Sequence, residues 1–299
     1  MLKGIHILLT YTCNFECDHC FLFCSPSAKG VFSMDGLRRL LKEAKKIGTI
    51  KTVFFEGGEP FLYHPILIEA VKESNASGFA VGIVSNAYWA TTEEDAKIWL
   101  DPLKKRNVCS IGLSDDAFHF GTKEERPPQN AKKAAEELGL PASFITIDPP
   151  SADRTPQGEG DRGEPIVGGG TQFRGRAAEK LTAGLPTRHR SRFTECPHED
   201  LVDPGRVHID PFGNVFVCQG LSIGNCFETP LSDLMSAYDP NKHPIVGPIV
   251  AGGPNRLAEE YRDECKERYV DECHMCYSVR KRLKSRFPQF LTPDRVYGE

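Results

Sequence analysis

Along the first 150 residues, short apolar runs alternate with stretches in which apolar residues recur three and four apart. Ile5–Thr10 reads as a buried strand, and Ser33–Ile47 follows with helical spacing, Ser33 standing where an N-cap belongs. The pattern repeats, predicting strands over Thr52–Glu56, Ala80–Ser85, Val108–Ser114 and Ala142–Asp148. Helices are predicted between them over Pro65–Ser77, Thr92–Lys105 and Gln129–Leu138, with Thr91 and Glu94 spaced as a capping box. Strands separated by helices are joined by right-handed crossovers into a parallel sheet. The predicted fold class is therefore α/β, a partial (β/α)6 TIM-like barrel, whose functional residues belong at the C-terminal ends of the strands.

The alternation stops at Asp148. Pro149-Pro150-Ser151 opens a Gly-rich stretch ending in Gly168-Gly169-Gly170, read as a loop over the barrel mouth or as an insertion without function. Further on, Arg206–Ile209 and Val215–Cys218 flank Asp210-Pro211-Phe212-Gly213-Asn214, a hairpin signature with its turn at Gly-Asn. Two domains are expected, a barrel over residues 1–190 and a small cysteine-rich extension over 191–299.

Composition narrows the class. A net charge of −4 over 299 residues provides no field to attract nucleic acid or an anionic membrane. No apolar run reaches 18 residues and Met1–Leu9 lacks the features of a signal peptide, so the expected location is cytoplasmic. Eleven cysteines in such a compartment point to metal or catalysis rather than to disulfides. Cys13, Cys17, Cys20 and Cys24 crowd the start, and Cys196, Cys218, Cys226, Cys265, Cys273 and Cys276 fill the end. Cys109, within an apolar strand, is expected to be a buried core thiol.

Three thiolates at Cys13-x3-Cys17-x2-Cys20 can hold three corners of a [4Fe–4S] cluster and leave one iron open. Zinc, with Cys24 as a fourth ligand, is the alternative; Cys24 otherwise reads as packing or as a hydrogen-atom donor. Gly57-Gly58-Glu59-Pro60 follows the second predicted strand, its glycines permitting close backbone approach and Glu59 supplying a carboxylate. Ser85-Asn86 and Ser114 with Asp116 follow the third and fourth strands.

Tyr11-Thr12-Cys13-Asn14-Phe15-Glu16-Cys17-Asp18-His19-Cys20 resembles the signature of the radical S-adenosylmethionine (SAM) superfamily. The resemblance implies a SAM-binding [4Fe–4S] cluster on Cys13, Cys17 and Cys20, with His19 near the adenine. It implies that Gly57, Gly58, Glu59 and Pro60 hold the SAM amino group and that Ser85, Asn86, Ser114 and Asp116 contact its ribose and carboxylate. Reductive cleavage of SAM to a 5′-deoxyadenosyl radical, fed by flavodoxin or ferredoxin, would then abstract hydrogen from a small-molecule or peptide substrate. Arg174-Gly175-Arg176 resembles a Gly-Arg element near the last barrel strand of SPASM-type enzymes, which implies that Arg174 faces a carboxylate of SAM or substrate.

Gly213-x4-Cys218 and the later Cys265-x7-Cys273-x2-Cys276 resemble the SPASM and twitch extensions that bind auxiliary clusters. The full SPASM cysteine core is absent, so one auxiliary [4Fe–4S] cluster is expected. Its preferred ligands are Cys196, Cys218, Cys273 and Cys276, with Cys265 and Cys226 as substitutes; a structural zinc site satisfies the same thiolates. An auxiliary cluster would favour net oxidation or bond formation. A non-catalytic iron–sulfur carrier and a zinc-stapled binding protein are the competing functions. The basic run Arg280-Lys281-Arg282 with Lys284 and Arg286 reads as a solvated helix face, or as a contact for RNA or phosphate.

Overall fold

Each predicted strand of the first 145 residues forms, and each lies parallel to the one before it. The computed structural model describes residues 1–106, 108–121, 126–154 and 165–299. In chain order the first elements are β1 (Gly4–Thr10), α1 (Met34–Ile47), β2 (Thr52–Gly57), α2 (His64–Ala76) and β3 (Ala80–Ser85). Then come α3 (Glu93–Lys104), β4 (Val108–Ser114), the short α4 (Ala117–Phe120), α5 (Pro127–Leu138) and β5 (Ala142–Ile145). Ser33 caps α1 by accepting a hydrogen bond from Gly36 N, and Leu37, Leu40, Leu41 and Ala44 make its buried stripe. The cap of α3 is Thr92, one residue later than the spacing predicts, and it accepts from Asp95 N.

After β5 the chain forms β6 (Ser151–Arg154), β7 (Pro165–Gly168), α6 (Arg176–Lys180) and β8 (Arg188–His189). It continues through β9 (Arg206–Ile209), β10 (Asn214–Cys218), β11 (Leu221–Asn225) and α7 (Leu231–Ala237). α8 (Val246–Glu260), β12 (Arg268–Tyr269) and α9 (Glu272–Leu283) complete the order.

These elements fall into two compact units that interleave along the chain. The first comprises Met1–Glu16, Cys24–Thr146 and Asp203–Tyr238. Among the described residues it holds an eight-stranded sheet in the order β11-β10-β9-β1-β2-β3-β4-β5. The predicted run of consecutive strands ends at β5, and the sixth parallel strand is β9, which pairs with β1 on the side away from β2. The hairpin expected in a separate C-terminal extension is thus part of this sheet: β10 and β11 continue it antiparallel beyond β9. Gly213 turns that hairpin at φ 88°, and Asp210 ties the turn by accepting from Phe212 N and Asn214 N.

Cys109 departs from expectation. Val81 pairs with Val108 but Gly82 pairs with Ser110, so Cys109 is an extra residue bulged out of β4, and it is exposed.

The second unit comprises Cys17–Phe23, Ile147–Val202 and Asp239–Glu299. The stretch read as a loop after Asp148 contains the antiparallel pair β6·β7, and residues 155–164 lie outside the described residues. β8 pairs with β12, and α8 packs on α9. The basic run of α9 is not a free solvated face. Arg280 is buried, Arg282 pairs with Asp263, Lys281 with Glu179, and Lys284 with Asp294 and Glu299. Among the described residues no helix is long and apolar enough to cross a membrane.

Candidate active site

In the first unit, β1 ends in Thr10 and runs straight into Tyr11-Thr12-Cys13, beside the end of β2. Two backbone hydrogen bonds fasten these ends: Gly58 N donates to Thr10 O at 2.7 Å and Glu59 N to Thr12 O at 2.9 Å. The glycines are required by this closeness. A Cβ on Gly58 would stand 2.1 Å from Thr12 O, and one on Gly57, whose φ is +130°, 2.4 Å from Thr10 O. Cys13 N in turn donates to Ser25 O, which returns the loop to the unit.

Glu59 is fully buried. Its Oε1 accepts from Phe61 N and from the Ser85 hydroxyl, both at 2.9 Å, and its Oε2 accepts from Asn86 N at 2.7 Å. Three of about four acceptor positions on the carboxylate are therefore filled by the protein. Burial pushes the Glu59 carboxyl up to about 7, against the pull of those hydrogen bonds. Ser85 is equally committed, since its hydroxyl also accepts from Ala87 N and from Trp89 Nε1. Glu59 and Ser85 thus weld the ends of β2 and β3 together, and Pro60 opens the 3₁₀ turn Pro60–Tyr63 that Glu59 caps.

Asn86 reaches the cysteine loop. Its side-chain amide donates to Asn14 Oδ1 at 2.9 Å and lies 3.7 Å from Cys13 Sγ, which Phe15 N also approaches at 3.4 Å. Two N–H groups directed at one sulfur suit a thiolate ligand of an iron–sulfur cluster, whose potential such bonds help to set. Cys24 is buried in this unit.

At the end of β4, Ser114 is half-buried and pairs with Ile145 of β5. Asp116 caps α4 through Phe118 N and His119 N and holds His119 Nδ1 at 2.8 Å. Next to it, Asp115 pairs with Arg126 at 2.9 Å.

Cys17, His19 and Cys20 belong to the second unit, where Arg174-Gly175-Arg176 grips their segment. Arg176 donates from Nη1 to Cys17 O at 2.7 Å and from its backbone N to Cys20 O at 2.9 Å. Gly175, at φ 59°, comes so close that a Cβ there would be 2.4 Å from Phe21 Cα. The Arg174 guanidinium lies 5.0 Å over the Phe21 ring and pairs with Glu199 at 3.5 Å. Arg176 therefore holds the loop backbone, a role that the motif did not suggest.

Cys273 and Cys276 lie in the first two turns of α9, which Asp271 caps by accepting from His274 N. Three residues apart, they share a helix face. Cys265 stands in the loop before β12 with Arg190 Nη1 at 3.1 Å from its sulfur, and Cys196 lies in an irregular segment of the same unit. Cys218 ends β10 in the first unit and is buried, as is most of Cys226. Burial, with the nearby Asp210 charge, pushes the Cys226 thiol up to about 12, which disfavours the thiolate a metal needs.

Sequence reasoning missed one polar group in the first unit. His6 on β1, Glu56 on β2 and His208 on β9 meet on neighbouring strands, with His6 Nδ1 3.0 Å and His208 Nε2 3.3 Å from the Glu56 carboxylate. Burial raises the Glu56 carboxyl, but hydrogen bonds with His208 and His6 outweigh it and hold the group below the usual carboxylate range. The available signal was a polar residue inside each of three apolar strands.

Comparison with known proteins agrees with this layout. Residues 7–147 match the model of the Radical SAM superfamily. The putative peptide biosynthesis protein YydG of Bacillus subtilis is 28% identical over 39% of this chain and 37% of its own length. A cofactor-modifying protein for tungsten-containing aldehyde ferredoxin oxidoreductase, from Pyrococcus furiosus, is 32% identical over 31% of this chain and 26% of its own. The matches therefore span about a third of these curated relatives. Among solved structures, BtrN in complex with AdoMet and 2-DOIA shares the fold at a TM-score of 0.51 and 14% identity, over 92% of this chain and 98% of that one. From Ile7 through Ile147, this chain is thus similar to the Radical SAM superfamily.

Proposed function

We propose that this protein is a radical SAM enzyme whose Cys13, Cys17 and Cys20 ligate a SAM-binding [4Fe–4S] cluster. The observation that carries the reading is the pair of backbone bonds from Gly58 and Glu59 to Thr10 and Thr12. They join the Gly-Gly-Glu turn to the start of the cysteine loop. When bound, the cluster and SAM would supply reductive, one-electron cleavage of the sulfonium and hydrogen-atom abstraction from substrate.

The protein's own residues do the positioning. Asn86 directs an N–H at the Cys13 sulfur, and Arg176 fixes the Cys17 and Cys20 carbonyls. Gly57 and Gly58 place the turn backbone, while Glu59 and Ser85 hold two strand ends rigid behind it. In this reading the SAM ammonium meets the backbone of the turn and the one acceptor position left on Glu59, and His19, Pro60, Ser114, Asp116 and Arg174 line the remainder of the site. Flavodoxin or ferredoxin is the proposed electron donor. The likeness to a peptide biosynthesis protein favours a peptide substrate over a free small molecule. An auxiliary [4Fe–4S] cluster on cysteines drawn from Cys196, Cys218, Cys265, Cys273 and Cys276 would take up the second electron of a net oxidation.

The test is anaerobic reconstitution followed by quantification of 5′-deoxyadenosine formed from SAM with dithionite. Wild type should form it, and the Cys13/Cys17/Cys20→Ala variant should fall to background while keeping about four irons, those of the auxiliary cluster. A zinc-containing wild type with no 5′-deoxyadenosine would overturn the reading.

A further inference from the structure

His6, Glu56 and His208 interrupt three strands that are otherwise apolar at their centres. His6 and His208 are direct partners across β1·β9, and Glu56 sits opposite Leu8 on the other side of β1. All three side chains are mostly withdrawn from solvent, His208 to 7% exposure, with His6 and Glu56 at 21% and 17%. Gathering two imidazoles and a carboxylate in such a place costs solvation at each group, so the arrangement needs a partner charge or proton to sustain it.

We propose that His6, Glu56 and His208 bind a divalent transition-metal ion of the Zn²⁺ or Fe²⁺ class, at a site separate from any iron–sulfur cluster. Two imidazoles and a carboxylate are the donor set of catalytic zinc sites and of non-haem iron sites, in both of which positions remain open for water or substrate. One donor atom from each residue lies within 4.8 Å of the other two. His6 Nδ1 lies 3.0 Å from one Glu56 oxygen and His208 Nε2 3.3 Å from the other, so both imidazoles flank the carboxylate closely enough for a single ion to draw one donor atom from each residue. The donors stand on paired strands rather than loops, which keeps such a geometry fixed. Partial exposure of His6 and Glu56 gives a hydrated ion a way in. An ion here would present a Lewis acid to an anionic or carbonyl oxygen, a chemistry that SAM cleavage does not provide.

The experiment uses the anaerobically purified, cluster-loaded full chain, dialysed first against a chelator and then against Zn²⁺, with zinc counted by elemental analysis. Wild type should retain one zinc per chain more than Glu56→Gln or His208→Gln. The dissociation constant of that zinc should rise by more than the roughly 10–100-fold that loss of an outer-sphere partner costs. Equal zinc in wild type and both variants overturns the proposal and leaves a carboxylate bridged by two imidazole N–H groups. Should the variants fold poorly, zinc-edge X-ray absorption on wild type decides. Nitrogen and oxygen neighbours at about 2.0–2.2 Å support the site, and sulfur alone at about 2.3 Å overturns it. None of these readouts depends on SAM cleavage, so the site and the radical SAM reading fail separately.

Discussion

The strand ends of the first unit and the cysteine-bearing segments of the second are held in place by different means. At the strand ends of β1, β2 and β3, Gly58 N, Glu59 N, the Glu59 carboxylate and the Ser85 hydroxyl form a closed set of short hydrogen bonds among buried groups. In the second unit, Cys196 and Cys265 stand in irregular segments, and only Cys273 and Cys276 ride on a capped helix. The first arrangement is fixed by the sheet itself, so its groups are held in place before anything binds. Under the proposed function, the loop cysteines of the second would be fixed by the metal they bind, as small metal sites commonly are.

The largest stability effect in that comparison should come from Gly58→Ala. Its Cβ would meet the Thr12 carbonyl, a backbone atom that cannot swing aside, so a loss of roughly 1–3 kcal/mol or more is expected in urea unfolding. Cys273→Ala, by contrast, should leave the stability of the cofactor-free chain nearly unchanged. An equal loss in both would erase the distinction between the regions.

Next comes pH. The Glu59 carboxyl is raised from 4.5 to about 7 in the folded state, so the native protein binds the extra proton. Stability from this group is complete below pH 4.5 and is lost as pH rises towards 7 and through it, a span worth on the order of 3 kcal/mol. Glu59→Gln should flatten that slope in melts across the range, even if the amide lowers stability throughout. A slope unchanged from wild type would mean the hydrogen bonds keep Glu59 ionised.

Asn86→Ala removes one N–H from the Cys13 sulfur and one bond to Asn14. A more negative cluster potential and 5′-deoxyadenosine formation slower by about tenfold are expected, the scale of one hydrogen bond to a charged group. A potential identical to wild type in an EPR-monitored titration would remove Asn86 from the cluster's surroundings. Smallest of all, Cys109→Ser at the exposed bulge should change stability by no more than about 0.5 kcal/mol.

Much of this layout can be read from residue order, because a parallel strand followed by a helix leaves a local imprint and motifs at strand ends inherit their position from it. The Ser33 cap, the five consecutive strands and the placing of Gly57-Gly58-Glu59 all have that origin. What escapes is non-local. Nothing in the periodicity of Arg206–Ile209 says that it will lie against β1, and a bulge at Cys109 follows from the register of a neighbour. The roles of Glu59 and Ser85 were half visible: their types suggested ligand contacts, whereas burial turned them towards each other. Arg176 and the His6–Glu56–His208 group required knowing which segments meet.

The return of β9 to β1 also has a kinetic side. Some 200 residues separate Gly4 from its partner Arg206. At about 5–20 residues per second, a ribosome needs roughly 10–40 s to deliver that partner. Throughout that interval one edge of β1, the strand that leads into the cysteine loop, stays unpaired, and an unpaired apolar edge recruits other chains. Yield of folded protein should therefore respond to translation speed and to chaperones that shield strand edges.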